Sequence, residues 1–220
     1  MRLIEGKDWQ GPTHNCPLCP RLVAFRHELR SLEPNWHNSP VPSFGHLASR
    51  LLVVGLAPGM HGANRTGRPF TGDYAGDLLY DGLTAFGFAK GEYAKRSDDG
   101  LELVDCRIAN AVRCLPPKNK PTPQEANECR QFLISEIASM PNLNQVLALG
   151  RIAHETVLRA LKIRLIEAPF AHGASHRLGD ITITDSYHCS RYNTNTGRLT
   201  KDMFYSVIKS IRQRLDAQKI

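Results

Sequence analysis

RLLVVGLAPGMHGANRTGRPFTGD, residues 50–73, is the stretch on which the architecture turns. Residues 50–56 form a short apolar run, β-branched at its centre and closed by Ala57-Pro58-Gly59. Such a run suits a strand buried on both faces. Residues 106–113, 145–149 and 180–186 are three more candidate strands. In the last, DITITDS, Ile181 and Ile183 alternate with Thr182 and Thr184, so one face is expected to be less deeply buried.

Helix patterns fill the gaps. Leu78, Leu79, Leu83 and Phe86 share a face after Asp73. Thr122-Pro123-Gln124-Glu125 combines a capping box with Pro at the first helical position, so a helix starts there. Residues 151–162 place Ile152, Val157 and Leu161 on a common side, and Phe204, Val207, Ile208, Ile211 and Leu215 make a closing amphipathic stripe. Strands separated by helices predict an α/β fold, one domain over 1–220 with a mainly parallel sheet covered on both faces. Ligands in such folds sit beyond the carboxyl ends of the strands, which points to the loops after Leu56 and after Ser186.

The formal net charge of +7 favours an anionic partner, nucleic acid first, because Lys and Arg contacts to phosphate release counterions. Residues 1–10 hold no apolar core of a secretory leader, and the most apolar run is too short to span a bilayer. The expectation is a soluble, cytoplasmic protein with no membrane partner. Six cysteines in such a chain argue for metal or redox chemistry rather than disulfides.

Cys16 and Cys19 form a C-P-L-C unit, and Cys114 and Cys129 are the two ends of a C-x14-C pair. Cys129 is expected just inside the capped helix and Cys114 in the loop before it. Two such pairs can meet at one four-thiolate site, but spacing alone does not separate zinc from iron–sulfur. Cys106 reads as core, and Cys189 has no evident partner.

The first loop, residues 55–73, carries five glycines, two prolines and Phe70. Glycines such as Gly59 let backbone N–H groups approach a ligand, and Phe70 offers a stacking face. Asp73 reads either as a functional carboxylate or as a plain helix N-cap. Arg65 and Arg68 either meet phosphate or face solvent. The loop is not a P-loop. In the second loop, HCSRYNTNTGRLT (188–200), His188 follows a strand directly, although a lone histidine is more often structural. Ser190, Arg191, Tyr192 and Asn193 offer phosphate donors and an aromatic wedge. Asn110 could read a base edge or merely cap backbone.

These motifs, GLAPGMHGANRTGRPFTGD, NAVRCLPPKNKPTP running on to Cys129, HCSRYNTNTGRLT and the C-P-L-C unit, span nearly the whole chain in order. Together they resemble the uracil-DNA glycosylase superfamily, and within it the iron–sulfur family five, or type B. The resemblance implies a three-layer α/β/α domain with a four-stranded parallel sheet. It implies a mainly structural [4Fe–4S] cluster on Cys16, Cys19, Cys114 and Cys129. Asp73, Asn110 and His188 would carry the chemistry, Phe70 would stack on an extruded base, Ala57 and Gly59 would line the base site, and Tyr192 would fill the gap in the duplex. Ser190, Arg191 and Arg65 would contact DNA. The implied activity is monofunctional excision of uracil, with hypoxanthine and other deaminated bases, by a monomer in the prokaryotic cytosol or nucleoid. The chain has Leu56-Ala57 where the superfamily often has a water-handling polar residue, as family five members do, and Cys189 where many relatives carry Pro. A non-catalytic iron–sulfur or zinc protein that binds nucleic acid is the competing reading. A redox enzyme is less well supported, since no flavin or dinucleotide fingerprint is present.

Overall fold

A computed structural model describes residues 9–217; the leader-region reading of residues 1–10 falls almost wholly outside them. In chain order the elements are α1 (Pro20–Leu32), β1 (Leu51–Gly55), α2 (Ala63–Thr66), α3 (Tyr74–Ala85), β2 (Ala89–Lys90), β3 (Glu102–Leu103), β4 (Cys106–Asn110), α4 (Pro123–Ala138), β5 (Gln145–Leu149), α5 (Arg151–Ala160), β6 (Ser175–Leu178), β7 (Ile181–Ser186), α6 (Arg191–Asn195) and α7 (Lys201–Ala217). The main sheet has the order β4-β1-β5-β7-β6 and is parallel except for β6, while β2 and β3 form a separate hairpin. No described helix is long and apolar enough to cross a membrane.

β1, β4 and β5 are buried at every position because helices cover both faces. Leu51, Val53, Ile108 and Leu147 pack against Leu79 and Leu83 of α3 and Phe204, Ile208 and Ile211 of α7. Leu52, Val54, Val146 and Ala148 face the other way, onto Leu133 and Ile137 of α4 and Val157 and Leu158 of α5. Alternate residues of one strand thus supply two cores, which is the three-layer arrangement.

The sheet has five strands rather than four. β6, Ser-His-Arg-Leu, is a polar edge strand without an apolar alternation, and it folds back on β7 through Gly179-Asp180, with Gly179 at φ +66°. Residues 106–113 leave strand geometry after Asn110, although Ala111 N–H and Val112 N–H still donate to Gly55 O and Leu56 O, at 2.9 and 3.0 Å. Ile152 does not point inward: it is 47% exposed. Helical spacing puts Ala153, Val157 and Leu158 on the sheet side, and Ile152 lies five residues from Val157, off that stripe. In β7 only Thr182 is less deeply buried; Thr184 is covered.

Candidate active site

The parallel strands all end at one edge of the sheet, and a cavity of about 250 Å³ opens there. Its wall brings together Ala57, Gly59, Phe70, Asp73, Asn110, His188, Ser190 and Arg191, with Tyr74 and Asn119 as further polar neighbours. Asn110 ends β4, Asp73 and Tyr74 begin α3, and His188, Ser190 and Arg191 follow β7 into α6, while Ala57, Gly59 and Phe70 come from the loop between β1 and α3.

Asp73 occupies the backbone N-cap position of α3, yet its side chain makes no capping hydrogen bond. The carboxylate lies instead in a cradle left by two missing side chains: a Cβ at Gly59 or at Gly62 would fall on Asp73 Oδ2. Oδ1 is buried without a partner. Burial pushes the Asp73 pKa above the usual carboxylate value; the nearby Ala75 N–H pulls it only part of the way back, and Asp77 adds to the rise.

Asn110 ends β4 opposite Gly55 of β1. Its Oδ1 is buried and unpartnered, and glycine is needed at position 55 because a Cβ there would meet both Asn110 Oδ1 and the Phe70 ring. Phe70 adopts φ +54°, a left-handed conformation costly for a bulky residue. What holds it there is a braced loop: Tyr80 Oη donates to Pro69 O at 2.6 Å and Tyr93 Oη to Phe70 O at 3.1 Å. Arg68 completes the brace. It is buried, forks onto Asp99 at 2.8 and 2.7 Å, and donates to Thr71 Oγ1. Neither phosphate nor solvent is its partner.

His188 stands two residues beyond β7, its ring stacked at 30° and 6.1 Å from Phe70. Asn193 Nδ2 donates to its carbonyl at 2.8 Å, and no described residue hydrogen-bonds its ring. Burial lowers its pKa to about 4, so the imidazole is neutral at neutral pH. Ser190 caps α6, accepting from Asn193 N–H, and Arg191 lies over the Tyr74 ring at 5.3 Å. Tyr192 is outside the cavity wall and 71% exposed, and Arg65 is likewise outside and solvent-facing. Across His188 a neighbouring cavity of about 320 Å³ is lined by Arg151, Phe170, Tyr187 and Arg198; the two guanidinium groups rest on the two rings. Sequence reading passed over Tyr74, Asn119, Arg151 and Arg198. Only Asn119 had a visible cue, its place in the Pro-Pro-Lys-Asn turn after Cys114.

Cys16, Cys19, Cys114 and Cys129 line a second, more enclosed cavity with Leu22, Arg26 and Val112. Cys19 precedes α1 and Cys129 lies within α4, whose capping box of Thr122 and Glu125 is fully formed. Burial first, and then the other sulfurs of the group, pushes the Cys19 thiol up to about 11 and the Cys114 thiol to about 12. Four such groups become thiolates together only when a cation holds them. Among the described residues no three His, Cys, Asp or Glu side chains are placed to hold a metal ion. One zinc would need its sulfurs within roughly 3.8 Å of each other at a Zn–S bond of about 2.3 Å. Four cysteine sulfurs facing one cavity are a donor set for a single tetrahedral metal or for an iron–sulfur cluster in which each binds a different iron.

A cavity beyond a parallel sheet, walled by an aromatic ring, a desolvated carboxylate, a neutral imidazole and an amide, defines the class first: an α/β protein with a polar cavity at its strand ends. The family model described as the Uracil DNA glycosylase superfamily matches residues 42–212, and the chain belongs to that superfamily. Within it the chain is similar to a type-5 uracil-DNA glycosylase of Thermus thermophilus, 46% identical over 90% of this chain and 93% of that protein. A type-5 uracil-DNA glycosylase of Pyrobaculum aerophilum is 40% identical over 89% of this chain and 87% of its own. A type-4 uracil-DNA glycosylase of the same organism is more distant, 29% identical over 76% of this chain.

Proposed function

We propose that this protein hydrolyses the N-glycosidic bond of uracil in DNA and leaves an abasic site, with the backbone intact. The observation that carries the reading is the convergence of Phe70, Asp73, Asn110 and His188 on one cavity at the strand ends. The names of the type-5 relatives support the same reaction.

A base inside a duplex must first be extruded, at a cost of a few kcal/mol. Tyr192, exposed beside the cavity on α6, would fill the vacated stack, while Arg191, Arg65, Arg151 and Arg198 would hold phosphates. The flipped ring would stack on Phe70. Asn110 Oδ1, an acceptor without a partner, is complementary to the imide N–H of uracil. The N1–H of hypoxanthine offers a similar donor, and the apolar Leu56-Ala57 wall makes few fixed polar demands, so other deaminated bases fit the same reading.

Bond cleavage builds positive charge on the sugar and negative charge on the base. Neutral His188 would donate its N–H to the developing base oxyanion, a preorganised contact worth about 3–4 kcal/mol. Asp73, its pKa raised by burial, would as the carboxylate balance the sugar cation and orient the attacking water. Cys16, Cys19, Cys114 and Cys129 would hold a [4Fe–4S] cluster that cross-links α1 to α4 and supplies no reacting atom.

Incubation with uracil-containing DNA followed by alkali tests the reaction. Strand breaks at uracil are expected from the wild-type chain, and their absence would overturn the reading. Replacing uracil by hypoxanthine, xanthine or mismatched thymine then measures its breadth. Iron and acid-labile sulfide in freshly purified protein test the cluster; a colourless chain with one zinc would refute it.

A further inference from the structure

Four arginines are buried among the described residues: Arg26, Arg68, Arg107 and Arg113. Three have a carboxylate partner. Arg68 pairs with Asp99, while Arg107 and Arg113 share Glu136. Arg26 has no carboxylate partner among the described residues. It is 4% exposed, on the face of α1 that also buries Leu22 and Leu29. Nη2 donates to Cys16 O at 3.0 Å, Nη1 approaches Cys114 Sγ at 3.7 Å, and Nε is buried with no partner.

A buried guanidinium with no anion opposite it carries a large desolvation cost. Glu125, on the first turn of α4, does not meet that need, because it is already forked onto Arg21 at 2.7 Å, and Glu128 beside Cys129 makes no ion pair with Arg26. Arg113 also borders the cavity and its charge favours the Cys129 thiolate, but its guanidinium is held on Glu136 and only its backbone N–H reaches Cys129 Sγ, at 3.3 Å. The unbalanced charge therefore belongs to whatever fills the cavity between the four sulfurs. A cubane with four thiolate ligands is a net anion, and among the described residues Arg26 is the buried cation whose guanidinium reaches one of the four sulfurs.

We propose that Arg26 is the counter-ion of the iron–sulfur centre, a positioning residue that retains the cluster by charge as well as by two hydrogen bonds. This rests on the reading that the four cysteines hold such a cluster. The guanidinium touches a ligand sulfur from Cys114 and fixes the backbone of Cys16, so one side chain ties a ligand from each half of the chain. An arginine in the stripe Leu22, Arg26, Leu29, at positions i, i+4 and i+7 of a helix, is otherwise an error of pattern.

The test compares the loaded wild-type chain with R26M, which keeps length and apolar packing, and R26K, which keeps charge. Iron release to a chelator is followed by the visible absorption of the cluster and by iron and sulfide content. Partners that support ligands from behind typically change metal affinity about 10–100-fold, so R26M should release iron about tenfold faster or more. R26K should fall between the two and nearer wild type. Release from R26M within about threefold of wild type, or better retention by R26M than by R26K, overturns the proposal in favour of plain packing. Should R26M fail to fold, R26Q against R26K makes the same comparison. A wild-type chain that contains no iron and sulfide would overturn the cluster itself, a result separable from both.

Discussion

Gly59 offers the cleanest probe of Asp73. A methyl group built on Gly59 meets only Asp73, its Oδ2 well inside van der Waals range and its Cγ at 3.5 Å. Gly59 does not use a left-handed backbone, so alanine brings no strain of its own. The substitution G59A therefore acts on the carboxylate and on little else. To restore an ordinary contact the carboxylate must retreat by roughly 1 Å, a misplacement that costs about 10²-fold in rate. That corresponds to about 2.7 kcal/mol of barrier at 1.36 kcal/mol per tenfold. Single-turnover release of uracil, read by alkali cleavage at saturating enzyme, should fall by that amount, with the thermal midpoint close to wild type. D73N should fall at least as far, and the double variant no further than D73N, because both changes remove one function. Wild-type turnover in G59A, or losses that add in the double variant, would refute the assignment. A drop in thermal midpoint with unchanged turnover would reduce Asp73 to a helix cap.

H188A should lower turnover about 10²–10³-fold, the loss typical of one preorganised oxyanion donor. Because burial holds His188 neutral down to about pH 4, the rate profile should show no histidine inflection near 6.5; one that disappears in H188A would contradict the neutral-donor role. The acid limb should belong to Asp73, lie above the ordinary carboxylate value and vanish in D73N. Folding stability carries the opposite mark: the unfolded chain takes up a proton on His188 between about 6.5 and 4 while the native one does not, so stability falls with pH across that window, and H188A should flatten it. D99N leaves Arg68 buried without its partner, and calorimetry should record about 3–5 kcal/mol of destabilisation. T122A removes the capping box of α4 and should cost about 1 kcal/mol in denaturant titration.

The parts of this molecule that could be read from the chain are those with local causes. β1 and β5 announce themselves by continuous apolar runs, α4 by Thr122-Pro123 and Glu125, and the two loops by following strands directly. β6 could not be read that way, since its polar edge gains its pairing only from β7; Gly179-Asp180 was the one local clue. Arg68 was illegible for a different reason. Its partner Asp99 lies 31 residues on, and nothing in either neighbourhood says they meet. The left-handed Phe70 belongs to the same class, because Tyr80 and Tyr93 hold it from α3 and the loop beyond. Asp73 sits between the two classes: its place at the start of α3 was plain, but its freedom from capping depends on Gly59 and Gly62, which matter only once folded.

Residues 110–114 join the cysteine cavity to the cavity at the strand ends. Asn110 reaches into the cavity at the strand ends, and four residues later Cys114 faces the other cysteines. Between them the backbone is pinned on both sides. Ala111 and Val112 donate to Gly55 and Leu56, which lead into the base cavity, and Arg113 N–H donates to Cys129 Sγ. Asn110 is the last residue of β4, paired with Gly55, and the segment beyond it has left the sheet and lacks a full ladder of its own. Anchoring its far end to α1 and α4 through the cysteines supplies the missing constraint. Under the proposed function, the cysteine site would be part of the geometry of recognition while remaining outside the reaction, with side chains doing the chemistry and the cluster holding the chain that presents them.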